Sequence, residues 1–78
     1  MPTVHREKGF RIAINTHDHE PMHVHGVKGD GVVIINLATL TVRDVRRLKP
    51  AEVRDAMEIV AREKDNLIAP WQQIRPIP

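Results

Sequence analysis

From Val32 to Ile35 the chain is aliphatic at every position, and Leu37 extends the run past Asn36. Side chains alternate between the two faces of a strand, so this strand is apolar on both and belongs inside a sheet covered on both sides. The 78-residue chain carries the periodicity of only one substantial helix, and one helix covers one face of a sheet. Something else must cover the second. A homo-oligomer, in the simplest case a dimer, or a small protein partner is therefore expected. Size points the same way: a domain this short buries little more than ~60% of the surface its unfolded chain exposes. A core on this scale supplies about 3–5 kcal/mol without disulfide or metal staples.

Around this run the pattern is that of a small sheet. Gly9 to Ile14 sets Phe10, Ile12 and Ile14 against Arg11 and Ala13, the period-two signature of a half-buried strand. The polar segment from Asn15 to Pro21 reads as the loop of a wide hairpin, since proline has no N–H for a sheet ladder. Alternation then resumes, with Met22 and Val24 on one side and His23 and His25 on the other. Gly26 to Gly31 is a glycine-rich turn into the apolar run, and Ala38 to Val42 alternates again as a continuation or a further strand. Pro50 and Glu52 then suit the first turn of a helix. Val53, Ala56, Met57, Val60, Ala61, Lys64, Leu67, Ile68 and Trp71 recur at three- and four-residue steps, giving one apolar stripe, and Pro70 ends or kinks the helix at 66–69. The expected fold is α+β, a single domain over residues 1–78. In it a three- to four-stranded, mostly antiparallel sheet packs Phe10, Ile12, Ile14, Met22 and Val24 on one long C-terminal helix.

Function classes narrow quickly. There is no cysteine, which removes disulfides and thiolate metal sites. The N-terminal stretch has no apolar leader and no run approaches the ~18 residues of a membrane span, so a cytoplasmic protein with no membrane partner is expected. The net charge of +2 helps approach to nucleic acid or an acidic partner without specifying either. Its distribution is more informative. Arg43, Arg46, Arg47 and Lys49 fall within seven residues, and Arg6, Lys8 and Arg11 form a second group. Both fit solvated strand-edge charge, and the first is the candidate contact for phosphate or an acidic partner.

Four of the five histidines, His17, His19, His23 and His25, lie within nine positions. His19-Glu20-Pro21-Met22-His23 spells H-E-x-x-H, but that motif needs both histidines on one face of a helix, and Pro21 costs about 3 kcal/mol in a helix interior. The metalloprotease reading fails on that residue. A different metal geometry survives. His23 and His25, two apart on a strand, share a face and suit zinc, nickel or copper, with His17, Asp18, His19 or Glu20 completing the shell. They also suit a donor–acceptor pair for proton transfer, or simply a polar strand face. His5 stands alone and reads as a satisfied or exposed histidine, Trp71 as a core anchor, and Gly29-Asp30-Gly31 as hairpin geometry.

Met1-Pro2-Thr3-Val4, Gly9-Phe10-Arg11-Ile12, Asp18-His19-Glu20-Pro21, His23-Val24-His25 and Gly29-Asp30-Gly31, followed by a helix ending near a tryptophan, resemble the domain-of-unknown-function 4160 family of small bacterial proteins. The D-H-x-P-x-H-x-H core selects His19, Pro21, His23 and His25. The resemblance implies a compact sheet with one principal helix and a setting beside a second small protein, in a toxin–antitoxin-like pair. The leading expectation is thus a small cytoplasmic binding or regulatory module acting through a protein partner and nucleic acid. The alternative is a divalent-metal protein or metal-dependent hydrolase using His17, His19, His23 and His25. A third is a metal-free nuclease with His23 and His25 as acid and base.

Overall fold

The computed structural model describes residues 3–14 and 22–68. Five strands, β1 (Thr3–Glu7), β2 (Phe10–Ala13), β3 (His23–Lys28), β4 (Gly31–Asn36) and β5 (Thr41–Arg46), precede a helix, α1 (Pro50–Arg62). The strands follow chain order across one sheet, and every neighbouring pair is antiparallel. The class is α+β as expected, but the strand count is five rather than three or four. Two strands hide their period. In β1 only Val4 is aliphatic, so there is little alternation to see. In β5 a bulge sets Ile34 opposite Asp44 and Ile35 opposite Val42, leaving Arg43 as the extra residue. The bulge puts Val42 and Val45 on one face at a spacing of three, which no period-two reading detects.

Tight turns set the register. Lys8 and Gly9, between β1 and β2, have φ of 51° and 78°, the double positive φ of a type I′ hairpin turn. Gly29, with φ of 57°, opens the two-residue connection from β3 to β4. Gly31 is needed for another reason: a Cβ there would stand 2.6 Å from the Arg47 carbonyl oxygen and against the Leu48 side chain. That close approach lets the 47–48 connection cross the start of β4 before α1 begins.

The pleat sorts the unalternating run of β4. Val33 and Ile35, with Leu37 just beyond, are buried toward the helix, whereas Val32 and Ile34 are half-buried on the other face. Phe10, Ile12, Ile14, Val24, Val33, Ile35 and Leu37 meet Ala56, Ile59, Val60 and Leu67 in one core, and Met22 packs against its rim. Each such large side chain contributes roughly 1.5–3 kcal/mol on burial. Ile59 belongs to this core, while Ala61, placed on the stripe by its spacing, is exposed.

The helix is also shorter than its sequence pattern suggests. α1 spans 13 residues, a turn at Glu63 interrupts it, and residues 64–68 are helical again. Arg62 to Asp65 is a run of four charged residues with no apolar side chain to hold this stretch on the sheet, and tertiary packing rather than propensity stabilises most protein helices. At the start of α1 the Glu52 carboxylate accepts the Lys49 N–H at 2.8 Å, and this bond, with Lys28 nearby, holds the Glu52 carboxyl below its usual range. The end expected from Pro70 and the anchor expected at Trp71 lie outside the described residues.

Candidate functional site

Because α1 lies on the face that carries Phe10, Ile12, Val24, Val33 and Ile35, alternation assigns the side chains between them, and those paired with these across the strands, to the opposite face. The register orders them in rows. Arg6 stands opposite Arg11, Arg11 opposite Val27, Val27 opposite Val32, and Val32 opposite Arg46. One row therefore crosses all five strands, with arginines at both ends and two valines between. The next row runs Thr3, Ala13, His25, Ile34, Asp44, and the third holds His23, Asn36 and Thr41. Burial is graded along the strands. Ala13 and His23 are buried, whereas Val27, Val32 and Ile34 are half-buried and Arg6 and Arg46 are exposed.

Charge separates the two faces as clearly as hydrophobicity does. On the helix side Lys8 lies 3.8 Å from Asp55 and 3.7 Å from Glu58, and Lys28 Nζ is 3.5 Å from Glu52 while passing 5.5 Å over the Phe10 ring. Arg62 donates to Glu7 and, at 3.2 Å, to Glu63. That bond from Arg62, followed by one from His5, holds the Glu7 carboxyl below its ordinary range; the same Glu7 bond raises Arg62. Glu63 is likewise lowered, first by Asn66 and then by Arg62. On the open face the Arg46 Nε lies 3.3 Å from Asp44 within the same strand. No ion pair among the described residues engages Arg6 or Arg11, and the two stand directly opposite each other. Like charges so placed destabilise a sheet.

The predicted site residues divide. His23 and His25 lie together on the open side, ring centroids 5.4 Å apart with planes tilted by 50°, but His23 is only 6% exposed. His17, Asp18, His19, Glu20 and Pro21 lie outside the described residues. Among the described residues no group of three or more His, Asp or Glu side chains could hold a metal ion. His5 is satisfied, its Nε2 standing 3.0 Å from Glu7 Oε1. The basic cluster does not stay together. Arg46 joins the five-strand row, Arg43 is the exposed bulge residue, Arg47 takes φ of 55° behind Gly31, and Lys49 caps α1. Lys8 likewise leaves its group for the helix. Sequence reasoning missed the pairing of Arg6 with Arg11 across the hairpin, and the available signal was the Lys8-Gly9 turn: a two-residue loop closing on Glu7 and Phe10 sets position 6 against 11.

Residues 9–72 match the family described as Domain of unknown function (DUF4160), and the chain belongs to that family. No curated protein and no solved structure matches it. Among the described residues no helix is long and apolar enough to cross a membrane.

Proposed function

For this member of the family we propose a cytoplasmic binding module that docks an anionic partner on the open sheet face, within a two-gene, toxin–antitoxin-like pair. The observation that carries the reading is the opposed pair Arg6 and Arg11, two cations facing each other across a hairpin with no ion pair to either among the described residues. Such a pair costs the free protein stability and is relieved when an anion sits between the guanidinium groups. Three arginines against one aspartate, Asp44, in these rows leave the face net positive, so a partner of opposite charge fits it. The half-buried Val27, Val32 and Ile34 give that partner an apolar floor. Retention on a heparin column tests the reading: the wild type should be retained, and Arg6→Gln/Arg11→Gln should elute at lower salt. If the wild type is not retained, or if Arg54→Gln on the helix shifts elution equally, the face is not an anion site.

A second reading rests on the His23 and His25 rings. Two imidazoles bound to one zinc at ~2.0–2.1 Å would hold their centroids a little over ~5 Å apart, near the observed 5.4 Å. A divalent metal bound there would take further ligands from the His17–Glu20 stretch. Metal analysis of untagged protein and the melting temperature with and without chelator test it. An absence of stoichiometric zinc, nickel or copper, together with no shift, would remove it.

A further inference from the structure

From the chemistry of the five-strand row we infer that the anionic partner is a single-stranded polynucleotide lying across the strands, with its phosphates at the arginines and its bases over the valines. The inference rests on the anion-docking reading and narrows it to one occupant. The row begins and ends in cations, Arg6 and Arg11 at one side and Arg46 at the other, where Asp44 lies 3.3 Å from the Arg46 Nε, and its centre, Val27 and Val32 with Ile34 in the adjoining row, is apolar. An evenly charged polyanion such as a sulfated sugar or an acidic peptide would bring charge onto that centre and desolvate it without a partner. A single strand has both kinds of group within one repeat: phosphates for the ends and flat apolar base faces for the middle.

Dimensions favour a single strand over an undistorted duplex. At about 4.8 Å between strands the row is about 19 Å wide, whereas the DNA major groove is about 12 Å wide and admits a helix or a two-stranded ribbon. A five-stranded face does not enter that groove, so an undistorted duplex would leave the apolar centre against phosphates. For a single strand the same width accommodates at most about five nucleotides at 3.4 Å each. The face carries no tyrosine, tryptophan or phenylalanine among its described residues; the described aromatic Phe10 is buried toward the helix. Base contacts therefore fall to aliphatic side chains, to the half-buried His25 ring in the adjoining row and to guanidinium planes, which stack on bases without reading their edges. The site is accordingly expected to be weak in sequence preference and strong in salt dependence.

Fluorescence anisotropy of the full chain tests this with labelled 12-mers of oligo-U and oligo-dT, the corresponding duplexes, heparin and polyglutamate. The single strands should bind at least about tenfold more tightly than the duplexes, with a log K against log salt slope of about −2 for three phosphate contacts. Arg6→Gln/Arg11→Gln should weaken binding at least tenfold and reduce the slope to about −0.7. Val32→Ser should weaken single-strand binding and leave heparin binding unchanged, which separates a base contact from a charge contact. Circular dichroism melts of each variant confirm that it is folded. Equal affinity for heparin, duplex and single strand would overturn the inference while sparing the anion-docking reading, and tight binding to polyglutamate alone would replace the polynucleotide with an acidic protein. Failure of every polyanion at low salt would overturn both.

Discussion

The two faces of the sheet are built from alternate residues of the same strands, yet they follow opposite rules. Toward α1 the side chains of β2, β3 and β4 are large, apolar and buried, with Val42 and Val45 of β5 exposed at the edge of that face, and the basic residues at the margin, Lys8, Lys28 and Arg62, each have acidic partners. On the other face Val27, Val32 and Ile34 are only half-buried, and Arg6 and Arg11 face each other with no ion pair among the described residues. The first arrangement lowers the free energy of the folded chain on its own. The second sets two like charges opposite each other, which works against the fold. A local choice that works against the fold without visible compensation marks a surface selected for something other than stability, which is why the functional proposals rest on this face and not on the helix.

The sharpest way to break the comparison is to delete equivalent volume from each side. Ile35→Ala, buried in the core, should cost ~2–5 kcal/mol, comparable to the whole margin of a domain this size, so urea denaturation should find it largely unfolded. Ile34→Ala, its neighbour on the open face, should leave a folded protein. If the two lose similar stability, that face is covered as tightly as the core. Next comes Gly31→Ala, which forces the Arg47 carbonyl and Leu48 away from β4 and should cost ~1–3 kcal/mol, read as a lower denaturation midpoint. Arg6→Glu should act in the opposite direction, stabilising the free protein by ~0.2–1 kcal/mol through a cross-strand pair with Arg11 while reducing anion binding. A gain in melting temperature without loss of binding would separate the arginine pair from the site.

The smallest effect belongs to the carboxylates on the helix side. Glu7, Glu52 and Glu63 sit below their ordinary value of 4.5 in the folded protein. A lowered carboxyl adds stability that is fully present above its unfolded value and is lost as pH falls through the folded one. Melting temperature should therefore decline below about pH 4.5, and Glu7→Gln should make that decline shallower. An unchanged profile would mean that the tether from β1 to Arg62 contributes nothing in solution.

Much of the covered face was legible in the sequence. Phe10, Ile12, Ile14 and Val24 announce it by alternation, and Ala56 and Val60 by helical spacing, because burial on one side leaves a period that composition alone displays. The open face was harder to read. β1 has almost no apolar signal, the bulge at Arg43 breaks the period of β5, and only pairing across strands shows that Arg6, Arg11 and Arg46, distant in sequence, share a row. The basic segment was legible as composition but not as placement: Arg43, Arg46, Arg47 and Lys49 are adjacent in sequence, and only Arg46 of these falls in the five-strand row. The histidine segment divides at the limit of the described residues, with His23 and His25 on the open side of β3.

By itself the sequence determined that this chain makes a small α+β domain, that one sheet face would bury against a helix, and that Pro21 forbids a helical H-E-x-x-H site. Those conclusions follow from local rules of periodicity, proline geometry and charge. Tertiary structure alone decided that the described residues form five strands, that Lys8 turns to the helix while Arg6 and Arg11 turn away from it, and that three arginines flank an apolar centre. Register is the physical reason. It is set jointly by turns, bulges and the burial of the opposite face, and no single segment carries it.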